Sequence, residues 1–191
     1  MPEAAPIPFF TLPNLLSLAR LPLGWLFWVV LGPTPARAAA ALGVIGAAAA
    51  TDVLDGTLAR RRGTALAGAG SWLDPICDKL FVGAVLAALH FERGVPFGML
   101  ALIVARELIQ LPMSIVYRTI PTLRRWLRYD FRASVLGKAA TIAQFLAIGA
   151  LVVGLPATLP ICLAFALGIV ALIDYVRRAI AIGRARSTTA P

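Results

Sequence analysis

Four aspartates, Asp52, Asp55, Asp74 and Asp78, fall within 27 positions of a chain that has nine acidic residues in 191. Asp52 and Asp55 stand three apart, and Asp74 and Asp78 four apart, so on helices each pair shares one face. Carboxylates brought together repel one another unless cations neutralise them. Their hard oxygens suit Mg²⁺, Mn²⁺ or Ca²⁺ better than zinc, and a cluster of this size can hold two ions. The plainer alternative is that they pair with Arg60, Arg61, Arg62 and Lys79 to anchor helix ends. Four ionisable groups at the ends of apolar helices instead read as a functional site. Gly56, Ala59 and Gly70 beside them leave room for a bulky ligand to approach the backbone, although small residues equally serve close helix packing.

The elements that carry these acids are membrane helices. With 60% hydrophobic and 14% charged residues and a mean hydropathy of +0.85, the chain is too apolar for a soluble globule. About 20 residues cross a hydrocarbon core, and six helices of that kind are expected, roughly over 13 to 32, 36 to 60, 70 to 91, 96 to 117, 134 to 154 and 157 to 178. Gly32-Pro33-Thr34-Pro35, Gly94-Val95-Pro96 and Gly154-Leu155-Pro156 end helices, because proline cannot continue the hydrogen-bond ladder. The short connection after Arg62 makes the second and third spans antiparallel neighbours, so their acidic faces can converge. The expectation is a single all-α integral membrane domain over 1–191, with a juxtamembrane segment at 1–12 and a basic tail at 179–191.

A net charge of +9 raises the question of nucleic acid, but that reading needs basic residues on a wet surface interleaved with aromatics. Here thirteen of the eighteen basic residues (Arg60, Arg61, Arg62, Arg118, Arg124, Arg125, Arg128, Arg132, Lys138, Arg177, Arg178, Arg184 and Arg186) fall on one side of the expected spans. Arg37 and Arg93 are all that the opposite loops hold. The positive-inside rule then places both termini and the acids in the cytoplasm, facing an anionic leaflet. Within the linker, LRRWLRYDF can form an interfacial helix with Trp126 and Tyr129 at headgroup depth, or serve as a basic loop that only sets topology. Phe9 and Phe10 suit the membrane surface in the same way.

Cys77 and Cys162 have no metal or disulfide spacing and read as small core residues. No basic n-region precedes the first span, which is expected to stay in the fold. His90 is remote from the acids and reads as interfacial, and Asp174 as a local ion-pair partner of Arg177 or Arg178. Pro75 either kinks the third span so that Asp74 and Asp78 splay, or is a tolerated membrane proline.

Read together, the site residues form Asp52-x2-Asp55-Gly56-x2-Ala59-Arg60-x9-Gly70-x3-Asp74-x3-Asp78. This resembles the signature of the CDP-alcohol phosphatidyltransferases at all eight fixed positions. The likeness extends to LPNLLSLAR near the start, to Arg106-Glu107, and to Gly137-Lys138-Ala139-Ala140-Thr141. The resemblance implies a six-helix membrane fold, usually homodimeric, of the bacterial inner-membrane type. It implies an enzyme that moves a phosphatidyl group from CDP-diacylglycerol to an alcohol and releases CMP. By the same resemblance Asp52, Asp55, Asp74 and Asp78 bind two Mg²⁺, for which Mn²⁺ can substitute, and Asp78 is also the general base toward the incoming hydroxyl. Asp55, Gly56, Ala59, Arg60 and Gly70 would hold the CDP end of the donor.

The acceptor is read from the remaining cations. Arg106, Lys138, Arg132 and Arg177 can form a pocket for a phosphate-bearing alcohol, since arginine offers a bidentate fork to phosphate oxygens. Alternatively Arg106 pairs with Glu107 or Asp130, and Arg177 is an ordinary topology anchor. The sequence is similar to phosphatidylglycerophosphate synthases, which use glycerol 3-phosphate, although Ser114 stands where those enzymes often carry another arginine. YRTIPT at 117 to 122 looks instead like cardiolipin synthases of mitochondrial type, whose acceptor is phosphatidylglycerol, and inositol-phosphate-using relatives are a third choice. A non-enzymatic scaffold or cation transporter would spread its ionisable residues through the bilayer, which these do not do.

Overall fold

The computed structural model describes residues 12–61, 70–120 and 135–187. Among them every regular element is helical: α1 (Leu12–Leu18), α2 (Arg20–Val30), α3 (Pro35–Arg61), α4 (Gly70–Arg93), α5 (Phe97–Ile103), α6 (Ala105–Thr119), α7 (Val135–Val153) and α8 (Thr158–Ser187). The chain divides into two compact units, Met1–Val95 and Pro96–Pro191.

In the first unit, the span expected over 13 to 32 is two helices broken at Ala19. Pro22 is the cause: it has no N–H to offer the Leu18 carbonyl, and its ring crowds that turn. The Leu23 amide still reaches the Ala19 oxygen at 3.3 Å, so the break is a bend rather than a loop. The buried residues of α2, Arg20, Gly24, Phe27 and then Leu31, recur every three or four positions and define its inner face. A Cβ at Gly24 would stand 3.1 Å from the Ala84 Cβ, so the glycine lets α2 lie close against α4.

Among the described residues both α3 and α4 pack on α1 and on α2. The inner face of α3 is small (Ala38, Ala41, Val44, Ile45, Ala48) and that of α4 larger (Cys77, Phe81, Val85, Leu89), and both meet the bent α1–α2 pair. At the far end of α2, Arg37 donates to the Val29 carbonyl at 2.9 Å, Arg93 to that of Gly32, and Trp28 to Glu92 Oε1 at 2.8 Å. Trp28 also stacks on Phe91, their ring centroids 6.0 Å apart. His90 Nδ1 donates to the Val95 carbonyl, 2.9 Å away, at this same end.

In the second unit the span expected over 96 to 117 is also two helices, interrupted at Val104, where no proline or glycine accounts for the break. The last helix runs on past the expected end at 178, to Ser187. α8 is the central element, packing on α5, α6 and α7. Its buried residues Ile161, Ala164, Ala171, Leu172 and Tyr175 follow the helical repeat, and small residues on α7 (Gly137, Ala140, Ala143, Ala147) meet them.

Gly94 and Gly154 terminate α4 and α7 in the left-handed region, with φ of 63° and 79°. After Gly154 the Leu155 amide turns back to the Ala150 carbonyl at 2.8 Å, as a glycine-terminated helix requires. Two helical stretches among the described residues, Val135–Val153 and Thr158–Arg178, are long and apolar enough to cross a bilayer; Asn14–Val30 and Pro35–Thr51 are shorter apolar helices. Outward residues such as Trp25, Ile142, Leu146, Leu159 and Leu163 are apolar, which suits contact with lipid.

Candidate active site

The motif residues sit where two helices of the first unit end and begin. Asp52, Asp55, Gly56, Ala59 and Arg60 lie on the last turns of α3, and Gly70, Asp74 and Asp78 on the first turns of α4. α3 starts beside the end of α2 and runs back along it, so Asp52 lies about 25 Å from Pro35, whereas α2 itself spans about 15 Å. The acidic end of α3 is therefore level with α1, which packs on both acid-bearing helices. Just before it, the Thr51 hydroxyl donates to the Ala48 carbonyl at 2.7 Å. The side chains of Asp52, Asp55, Arg60 and Asp74 lie outside the described residues, and so does that of Pro75. Arg132 and the segment LRRWLRYDF lie outside them altogether.

Asp78 is described, and it is not alone. Its Oδ1 lies 2.8 Å from Nη1 of Arg20; the Arg20 side chain is 1% exposed and that of Asp78 43%. One carboxylate oxygen is thus tied to a buried cation while the side chain as a whole stays open to a ligand. Asn14 and Ser17, also buried, precede Arg20 at intervals of three. Sequence reasoning missed Arg20, treating LPNLLSLAR only as a likeness. The signal was present, since an arginine four and seven residues before Gly24 and Phe27 falls on the buried face of an amphipathic helix.

The expected acceptor cations belong to the second unit and are not equivalent. Arg106 is largely buried: Nε and Nη2 donate to Glu107 Oε1, Nη1 to the Gly137 carbonyl at 2.7 Å, and Nη2 to Thr141 Oγ1 at 3.0 Å. The pairing with Glu107, one of the two alternatives for Arg106, is present. Its stem lies against α8 at Gly168, where a Cβ would come within 3.2 Å of the Arg106 Cβ. Lys138, next to Gly137, and Arg177 are exposed. Arg178 pairs with Asp174 at 2.8 Å, one turn back, as the spacing predicts.

Among the described residues no three metal-capable side chains form a group, because three of the four motif aspartate side chains fall outside them. The chemistry of the donor set, carboxylates alone with Asp78 half open, fits a hard dication.

The sequence profile of the CDP-alcohol phosphatidyltransferases matches residues 10–176. The chain belongs to that family. A cardiolipin synthase (CMP-forming) of Rattus norvegicus is 29% identical over 151 residues, covering 74% of this chain and 49% of its own length. One from Streptomyces coelicolor is 36% identical over 135 residues, 69% of this chain and 60% of that protein. A probable phosphatidylglycerophosphate synthase of Mycobacterium tuberculosis is 32% identical over 188 residues, 93% of this chain and 86% of that one. The chain spans about half the length of the mammalian cardiolipin synthases it matches. The family match encloses all eight motif positions as well as Arg20, Arg106 and Lys138.

Proposed function

We propose that the protein transfers a phosphatidyl group from CDP-diacylglycerol to an acceptor alcohol and releases CMP. The family match over the whole aspartate motif carries this reading. Asp52, Asp55, Asp74 and Asp78 would hold two Mg²⁺, or Mn²⁺, which when bound neutralise the donor diphosphate and polarise its phosphorus. Gly56, Ala59 and Gly70 leave room for the cytidine end, Asp55 contributes to the same donor site, and Arg60 contacts a donor phosphate. Asp78 accepts the proton of the acceptor hydroxyl, whose oxygen forms a bond to the phosphatidyl phosphorus. The bond from that phosphorus to the bridging oxygen breaks, and its electron pair leaves with CMP. Holding the reactants in line supplies much of the acceleration.

The fold that serves this reaction is one domain with six membrane spans, both termini and the acids in the cytoplasm, and a homodimer as the working form. The apolar outer faces of α7 and α8 and the one-sided arginines support it. At that depth the lipid tails of the donor stay in the bilayer while its charged head reaches the aspartates.

Glycerol 3-phosphate is the favoured acceptor, because the Mycobacterium tuberculosis relative aligns over nearly all of both chains. Lys138 and Arg177, both exposed, are the cations best able to meet its phosphate, with Arg132 alongside; Arg106 already has protein oxygens around it. The second reading, a cardiolipin synthase using phosphatidylglycerol, draws on the names of the rat and Streptomyces coelicolor relatives. The test is to offer purified protein CDP-diacylglycerol and Mg²⁺ with each alcohol separately, measure CMP, and identify the lipid made. CMP release with neither alcohol, from folded protein, overturns the reading.

A further inference from the structure

Gln144 is the middle residue of α7, one of the two helical stretches among the described residues that are long and apolar enough to cross a bilayer. It is 8% exposed, and its face of the helix, shared with Gly137, Ala140, Ala147 and Ile148, is turned into the second unit rather than toward lipid. The Gln144 amide makes no hydrogen bond among the described residues. A buried amide is costly until something answers its donors and its acceptor.

A second idle group stands on α6. Glu107 gives Oε1 to Arg106, while its Oε2 is buried and has no hydrogen-bond partner among the described residues. The two groups lie around the same side chain. Arg106 Nη2 donates both to Glu107 Oε1 and, at 3.0 Å, to Thr141 Oγ1, so the carboxylate is within two hydrogen-bond lengths of Thr141. Gln144 follows Thr141 by three residues on one helix face. A long side chain on a helix leans back over the preceding turn, which here is the turn of Thr141.

Their chemistry sets what fits between them. Oε2 requires a donor, and the amide offers a donor and an acceptor. The Arg106 and Glu107 charges cancel, so the surroundings favour an uncharged group over a phosphate or a metal ion. A lipid ester only accepts, and would leave Oε2 unanswered. A hydroxyl donates and accepts in one small neutral group, and so does a water molecule, which the experiment below separates from it.

We propose that Gln144, together with Oε2 of Glu107, is a specificity-determining site for the acceptor alcohol, recognising the hydroxyl next to the one that attacks. The site rests on the transferase reading given above, in which the attacking hydroxyl is assigned to Asp78 and the nucleotide to motif residues of the first unit. Glycerol 3-phosphate and phosphatidylglycerol both end in neighbouring hydroxyls, so the recognised chemistry is common to the two acceptors.

The test measures kcat/KM by CMP release for wild type and Gln144→Met with two pairs of acceptors. One pair is glycerol 3-phosphate and 3-hydroxypropyl phosphate; the other is phosphatidylglycerol and phosphatidylpropanediol, each second member lacking the central hydroxyl. The complete acceptor that supports faster release identifies the source of the hydroxyl. In wild type, loss of that hydroxyl should lower kcat/KM by at least about 10-fold, because the polar groups of the site then stay unpaired. In Gln144→Met, which keeps length and apolar fit, the two members should come within about threefold of each other, with KM for CDP-diacylglycerol within about twofold of wild type. Without substrate, the melting temperature of Gln144→Met should equal or exceed that of wild type, since an idle amide has been replaced by an apolar group. A wild type that uses both members alike overturns the site, and so does a Gln144→Met that keeps the discrimination. A lower melting temperature or failure to fold also overturns it, because either marks an amide that serves the fold through a structural water. A change confined to KM for CDP-diacylglycerol overturns it in favour of a hydroxyl on the donor. No CMP release from folded wild type with either complete acceptor overturns the transferase reading and the site with it. An active wild type indifferent to the missing hydroxyl overturns the site alone.

Discussion

Arg106 Nη1 donates to the Gly137 carbonyl at 2.7 Å, tying the first turn of α6 to the first turn of α7. The same guanidinium donates to Glu107 Oε1 and to Thr141 Oγ1, and Thr141 itself donates to the Gly137 oxygen at 3.0 Å. Removing the cation would leave Glu107, 13% exposed, buried without its counter-charge. Arg106→Met is therefore expected to lower stability by about 3 kcal/mol, read as a lower melting temperature in detergent. A residue used only for acceptor phosphate would instead raise KM for the acceptor and leave the melting temperature alone.

Gly168 sets how closely α8 approaches that clamp. With a Cβ 3.2 Å from the Arg106 Cβ, the backbone of α6 or the arginine stem must move by a few tenths of an ångström to admit even alanine. A second branch on that carbon meets the same obstacle with less freedom to yield. Gly168→Val is expected to cost about 1–3 kcal/mol through overpacking, and Gly168→Ala less, both measured by thermal unfolding. Equal melting temperatures for all three proteins would show that α6 and α8 yield freely there.

The sequence made the helices and the aspartate motif legible, and for physical reasons. Apolar runs bounded by Gly-x-Pro end where backbone donors run out, so the breaks at Gly94 and Gly154 could be placed in advance. Ion pairs one turn apart, such as Asp174 with Arg178, follow from helical geometry alone. Contacts between distant segments were not legible. Nothing local says that Arg20 meets Asp78, 58 positions later, or that α1 and α2 each pack on both acid-bearing helices. Those depend on which small residues allow close approach, as at Gly24, and on the bend that Pro22 introduces. The hydrogen bonds of Arg106 to Gly137 and Thr141 were likewise not legible, since those partners are more than thirty residues away.

Gly154, at φ of 79°, has open space around the position a Cβ would take. A substitution there tests backbone strain alone, without a packing term. Gly154→Ala is expected to destabilise by about 1–2 kcal/mol, the cost of a left-handed conformation for a residue with a Cβ. Gly94→Ala, at φ of 63° and equally unobstructed, should behave alike. Melting curves of the two variants decide it, and an unchanged midpoint would mean that the turn relaxes to another conformation.

Asp78 is the motif carboxylate whose ion pair with a buried arginine is described, and that pair bears on what its amide should do. Asp78→Asn keeps the shape but cannot take a proton, and it replaces the charge that compensates Arg20. Proton transfer by a positioned side chain is worth about 10²–10⁴-fold, so CMP release should fall by at least about 100-fold. The nucleotide end of the donor is assigned to Asp55, Gly56, Ala59, Arg60 and Gly70, so CDP-diacylglycerol binding, followed by isothermal titration at fixed Mg²⁺, should weaken far less than turnover. Stability should fall as well, because the buried guanidinium loses its counter-charge. That loss would appear equally in protein without substrate or metal, which separates it from the catalytic defect. Turnover equal to wild type in Asp78→Asn would remove this residue from the proton transfer and leave another group to accept the proton.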